Sequence, residues 1–187
     1  MRAFSILATI ATLAISANAA SHNKRAISDN VQSCINGLTS ADAKLLELKT
    51  AVDGFTSAAG YPGATAIHST EQALEALLKT TNTACCATTT TVTDEEAAAV
   101  FGLVGNIVPD ITGSLDSIIA KKPDFAAVAF ATAIVKTDVK ALAGLLKTLD
   151  GCLIAVTPAA LLESAQAYVA TIDAKFATAF STYGITA

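Results

Sequence analysis

The 187-residue sequence predicts an all-α fold, an up-and-down bundle of about five helices stapled by two disulfides. Three observations carry this. Apolar residues recur at alternating spacings of three and four along most of the chain, and no segment alternates with period two. Turn signals at Gly60-Tyr61-Pro62-Gly63, the threonines 88–91, Pro123 and Pro158 cut that pattern into long stretches. Four cysteines, an even number, follow what reads as a secretory leader.

The leader is MRAFSILATIATLAISANAA. Arg2 supplies the positive start, Phe4 to Ile15 an apolar run, and Ala17-Asn18-Ala19 a small-x-small cleavage signal. Residues 1–19 are therefore expected to be a signal peptide. Lys24-Arg25 is a dibasic processing site, so 20–25 reads as a short propeptide and 26–187 as one helical domain. Processing removes Arg2, Lys24 and Arg25, which leaves 9 Lys and Arg against 16 Asp and Glu, a net charge of −7. An acidic chain without clustered cations is a poor partner for nucleic acid. The longest later apolar run, FAAVAFATAIV at 125–135, stops at Lys136, well short of the ~18 residues a membrane span needs. No integral membrane anchor is expected, and the closing STYGITA offers no apolar tail for a lipid anchor. The expectation is a secreted, extracellular protein.

The cysteines are Cys34, Cys85, Cys86 and Cys152. Joining the neighbours Cys85 and Cys86 would strain a small ring. Each of the two other pairings ties Cys34 to one of the neighbours and Cys152 to the other. The adjacent pair is thus a junction between two distant segments. C-x-x-C spacing, which a redox pair would want, is missing, and only His68 would remain after processing to help a metal site. Each bridge closes a loop of ~50–70 residues, a span that stabilises by roughly 4 kcal/mol in the chain-entropy view.

The first helix follows Ser28, a plausible N-cap. Its stripe is Ile27, Val31, Cys34, Leu38, Ala41, Leu45, Leu48, Val52 and Phe55, and Asn36-Gly37 is expected to bend it. The second starts near Gly63, carries Ile67, Thr70, Leu74, Leu77, Thr81 and Ala84 inward, and ends about Cys86. Thr93-Asp94-Glu95-Glu96 reads as a capping box with its acids at the positive end of the helix dipole. The third helix spans about 94–120, with Val100, Val104, Ile107, Ile111, Leu115 and Ile118 inward and a kink expected at Pro109. The fourth is expected unbroken from Asp124 to about Ala155, facing inward with Phe125, Val128, Thr132, Val135, Val139, Leu142, Leu146 and Leu149. The fifth follows Thr157-Pro158, carries Leu161, Leu162, Ala165, Tyr168, Ile172, Phe176 and Phe180, and stops near Gly184. These positions allow all four cysteines to meet at one end of the bundle, leaving the third and fifth helices without a bridge.

No catalytic constellation emerges. Ser114 lacks a nucleophile motif. His68, Glu71 and Glu75 share one helix face at i, i+3, i+7, a pattern that could offer a weak metal face but ordinarily means solvated side chains. Glu75 and Lys79 form an ordinary i, i+4 surface pair. No enzyme activity, metal or cofactor is expected. The unusual feature is bulk: 15% of residues are charged, against about 25% in ordinary proteins. That leaves two routes to function, an apolar cavity between helices or apolar helix faces turned to an interface.

With "LLELKTAVDGF" at 45–55, "TNTACCATTTTVTDEEAAAV" at 81–100 and "LESAQAYVATIDAKFATAF" at 162–180, behind a leader and a Lys-Arg site, the chain resembles the fungal hydrophobic surface-binding protein A family, which is related to antigenic cell-wall galactomannoproteins. The resemblance implies a secreted, non-enzymatic protein that adsorbs to hydrophobic surfaces and recruits a secreted polyester hydrolase such as a cutinase. The alternative it implies is a fatty-acid carrier with a central apolar tunnel inside five helices; a further one is a cell-wall mannoprotein antigen. The apolar stripes supply the ligand-wall candidates Phe101, Val104, Ile107, Val135, Leu142, Leu146, Tyr168 and Phe176. There is no N-x-[ST] sequon, so any glycan would sit on the threonines at 88–91 and Thr93.

Overall fold

The computed structural model describes residues 27–186. The expected signal peptide and propeptide lie outside them. Among the described residues there is no strand, and five long helices carry the fold: α1 (Asp29–Gly54), α2 (Gly60–Cys86), α3 (Asp94–Ala120), α5 (Ala131–Val156) and α6 (Ala159–Tyr183), with a short α4 (Lys122–Ala126) between α3 and α5. Each long helix packs against two others, in the cyclic order α1, α2, α5, α6, α3 and back to α1. The helices therefore form a closed ring. Ser28 meets Glu96, and Gly113 lies against Lys49, so α1 and α3 run in one direction. Tyr168 stacks on Phe101, and Tyr183 bonds Ile118, so α6 runs with them. His68 meets Asp138 and Cys86 meets Cys152, so α2 and α5 run together, the other way.

Of the two pairings left open by the sequence, the structure has Cys34–Cys85 and Cys86–Cys152. Both bridges lie at one end of the ring and join α1, α2 and α5. Gly37 does not end or interrupt α1. A Cβ there would lie 2.8 Å from the Thr81 hydroxyl and 3.2 Å from its Cα, so glycine lets α2 approach closely, three residues from Cys34.

The capping box at Thr93 forms as the sequence predicts. Glu96 N–H donates to Thr93 Oγ1 at 3.3 Å, and Thr93 N–H donates to Glu96 Oε2 at 3.0 Å. Glu96 also accepts from the Ser28 N–H at 2.9 Å, which ties the start of α1 to the start of α3. Hydrogen bonds from Ser28 and then Thr93 hold the Glu96 carboxyl down to about 2. At its far end α6 stops as expected at Gly184, which takes φ +64° while Ile185 N–H reaches back to the Phe180 carbonyl.

The expected unbroken fourth helix is wrong. The chain instead makes α4, a turn, and α5, with Phe130 at φ 67°. Phe125 enters the core and stacks on Phe55 at 4.5 Å, Val128 and Ala131 are also buried, and Phe130 is 79% exposed. No single straight helix would bury residues 125, 128 and 131 in those places and then present the Val135 face of α5. The run AAVAFATA has no Pro or Gly to signal the break. On α2, Ile67, Leu74 and Thr81 are buried as expected, but the alternate positions Thr70, Leu77 and Ala84 give way to Glu71, Leu78 and Cys85. Its buried stripe is Ala64, Ile67, Glu71, Leu74, Leu78, Thr81 and Cys85, a regular 3-4 alternation that passes through a carboxylate. Placing Glu71 in solvent, as burial preferences dictate, displaced the stripe to Thr70, Leu77 and Ala84.

Candidate functional site

The closed ring leaves space on its axis. At the disulfide end a cavity of about 80 Å³ is lined by all five long helices, with Phe101, Val104, Leu153, Tyr168 and Ile172 among its walls. The loop 87–93 contributes Thr88 and Val92 to it, held by a Val92 N–H bond to the Val156 carbonyl. A second cavity, also about 80 Å³, occupies the middle, between Leu38, Leu74, Ile107, Leu142, Leu146 and Phe176. Val104, Asp150, Leu153 and Ile172 line both. A third, smaller cavity near Val52, Phe125 and Val135 shares Leu48, Ile118 and Leu142 with the second. The shared wall residues set the three apolar cavities next to one another between the helices.

Seven of the eight ligand-wall candidates line the two larger cavities: Phe101 and Tyr168 the first, Ile107, Leu142, Leu146 and Phe176 the second, and Val104 both. Val135 lies in the small third cavity instead. Phe101 and Tyr168 stack at 4.9 Å, and Gly105 gives Tyr168 room, since a Cβ there would sit 2.9 Å from the Tyr168 hydroxyl. Ring stacking thus builds one wall of the first cavity from α3 and α6.

Among the described residues, Asp42 and Asp150 are the only charged ones lining the two larger cavities. Both are acids that burial pushes up; for Asp150, burial and then the neighbouring Asp173 raise it to about 6. Asp42 is raised further by Asp110, and its Oδ1 is buried without a hydrogen-bond partner. The sequence reading missed both. Asp150 directly follows Leu149 in the inward stripe of α5, and that adjacency was the available signal.

The His68 trio also differs from its reading. Glu75 pairs with Lys79 at 2.8 Å, as expected. Glu71 is 2% exposed rather than solvated, and neither of its carboxylate oxygens has a hydrogen-bond partner. The third group beside His68 is Asp138 of α5, whose Oδ1 lies 2.9 Å from His68 Nδ1. Burial raises Glu71 to about 8, with help from Asp138 and Glu75, and raises Asp138 to about 6.

These features define a class: a disulfide-tied ring of five helices around apolar cavities. The chain belongs to the hydrophobic surface binding protein A family, whose description matches it over residues 31–155. Its fold is that of several solved structures. AFMP4P, determined in complex with palmitic acid, is 24% identical and covers 82% of this chain and 99% of its own, at TM-score 0.77. Ligand binding domain 2 of the Penicillium marneffei MP1 protein, in complex with arachidonic acids, is 15% identical over 87% of this chain and 97% of its own, at TM-score 0.74. Domain 1 of the same protein, also with arachidonic acids, is 16% identical, covers 82% and 93%, and has TM-score 0.64. No curated protein matches the sequence.

Proposed function

We propose that this protein is a secreted, non-enzymatic lipid-binding protein that holds a long acyl chain in the axial cavities. The observation that carries the reading is that the two larger cavities lie side by side and share Val104, Asp150, Leu153 and Ile172 as walls. Joined through these side chains, apolar space of this kind suits an acyl chain, because burying each CH₂ gains about 0.8 kcal/mol. The palmitic and arachidonic acids of the fold's solved relatives support the same class of ligand. Ile172→Trp fills the junction. The test is mass spectrometry of an organic extract of the secreted protein, followed by titration of the stripped protein with palmitate. The expected result is stoichiometric lipid in the native protein and its loss in Ile172→Trp; a native protein that neither carries nor takes up fatty acid overturns the reading.

A second reading, adsorption to hydrophobic surfaces, is favoured by the outer face. Phe130 is 79% exposed on a turn at the end opposite the disulfides. The most apolar 18-residue window of α3 has mean hydropathy 1.4, and 28% of it is buried. The family description points the same way. In this reading the protein sits at a hydrophobic surface or in the cell wall and draws a polyester hydrolase such as a cutinase to its substrate. Phe130→Ser is expected to weaken retention on octyl-coated beads without changing palmitate uptake; equal retention removes Phe130 from the adsorbing face.

A further inference from the structure

The lipid reading makes no use of the polar cluster beside the small third cavity, at the end away from the disulfides. We propose that His68, Glu71 and Asp138 form a divalent metal site suited to Zn²⁺.

The donor atoms are an imidazole nitrogen and two carboxylate oxygens, all within 4.8 Å of one another. His68 Nδ1 lies 2.9 Å from Asp138 Oδ1 and 3.9 Å from Glu71 Oε2. His68 and Glu71 stand one turn apart on α2, and Asp138 faces them from α5. Di-metal helical bundles also take ligands from a His and a Glu at i, i+3 and from carboxylates of facing helices, though with more ligands and in Glu-x-x-His order.

The independent observation is Glu71. It is 2% exposed, and both of its oxygens lack any hydrogen-bond partner. A buried polar group left unmade costs about 1–3 kcal/mol, and a charged one more. A second acid, Asp138, is buried beside it, and no Lys or Arg pairs with either. Lys79, the cation of this face, is bound to Glu75. Glu75 lies close by and acts on both acids; the remaining neighbours are apolar, with Val52 from α1, Ile118 from α3 and Phe125 from α4 lining the same small cavity. A divalent cation would displace the proton that Glu71 otherwise keeps, offset the charge of both carboxylates, and give the Glu71 oxygens a partner. Mixed nitrogen and oxygen donors, three in number, match Zn²⁺ with one position left for solvent. Ca²⁺ and Mg²⁺ want six or more oxygens. The His68 side chain is 31% exposed, which gives an ion a way in from solvent.

The test uses the secreted protein stripped with a chelator, at pH 7.5. Calorimetric titration with Zn²⁺ is expected to show one site per chain and a raised melting temperature, with no comparable response to Mg²⁺. Co²⁺ in the same site is expected to give a visible absorption band. Glu71→Gln and His68→Ala should each weaken Zn²⁺ binding by at least about tenfold. Glu71→Gln keeps the shape and removes a buried charge, so its metal-free melting temperature should be no lower than that of the parent, which separates lost binding from lost folding. Absence of stoichiometric Zn²⁺ uptake overturns the proposal, and so does uptake that Glu71→Gln leaves unchanged.

Discussion

The Tyr183 hydroxyl donates to the Ile118 carbonyl at 2.7 Å, a buried bond between residues 65 apart that latches the last turn of α6 to the last turn of α3. Helix-end carbonyls lack helical partners, so this one is satisfied from outside its own helix. Burial pushes the Tyr183 phenol well above its usual value, keeping it a donor at all working pH. Lys175 adds an exposed pair to Asp116 at 2.8 Å between the same helices. The two helices without a cysteine are thereby tied to each other. Tyr183→Phe leaves the Ile118 carbonyl buried and unpaired, with an expected loss of about 1–3 kcal/mol. Urea unfolding of the two proteins measures it; equal midpoints would mean the latch contributes nothing.

What was legible in the sequence follows from the physics of each signal. The 3-4 stripe of α1 was read correctly because Val31, Cys34, Leu38, Leu48 and Val52 are all apolar and all buried. The bounds of α3 were readable from the Thr93 capping box and from Lys121 and Pro123 beyond its end. The pairing of the cysteines was not, since Cys85 and Cys86 are adjacent and spacing treats them alike. Which of the two points at α1 depends on the rotation of α2, and Glu71 had misdirected that rotation. The cavities were legible only as a set of apolar walls. Asp42, Asp150 and the Glu71–Asp138 contact depend on which helices become neighbours in the ring, and α2 and α5 are far apart in sequence. The break at Phe130 came from tertiary packing of Phe125 on Phe55, which local propensity does not encode.

The acidic lining of the cavities has a consequence for ligand affinity, on the reading that the cavities hold a fatty acid. Above pH 6 Asp150 is charged and repels a carboxylate head drawn in beside it; below pH 6 it is neutral. Among the described residues, no cation lines the two larger cavities to offset this. Palmitate is expected to bind about five- to tenfold tighter at pH 5 than at pH 8, equivalent to roughly 1–1.4 kcal/mol. The ligand's own protonation acts in the same direction, so Asp150→Asn is the variant that isolates the protein's part: it should raise affinity at pH 8 and change little at pH 5. Displacement of a fluorescent fatty acid at both values reads the effect. Equal affinity of parent and Asp150→Asn at pH 8 would place the head group away from Asp150.

The buried acids also set how stability responds to pH in the metal-stripped protein. Glu71 titrates near 8 when folded against 4.5 for the free group, because of burial first and Asp138 and Glu75 after it. Between those values the folded chain keeps a proton that the unfolded chain has released. Its contribution is therefore fully present below pH 4.5 and is lost as pH rises to 8, by an amount on the order of 2–4 kcal/mol. Asp138, raised to about 6, acts with the same sign over a lower window, from 3.8 to 6. Glu96 acts oppositely: held near 2 by Ser28 and Thr93, it stabilises above pH 4.5 and loses that contribution as pH falls towards 2. The two trends place the stability optimum of the parent near pH 4–5. Glu71→Gln removes the larger of the alkaline losses, so its melting temperature should exceed that of the parent at pH 8 and its optimum should move upward. Glu96→Gln should instead flatten the acid limb and leave the alkaline one in place. Thermal unfolding between pH 3 and 8 in the presence of chelator follows both limbs, and an alkaline limb unchanged by Glu71→Gln would assign the loss to another group.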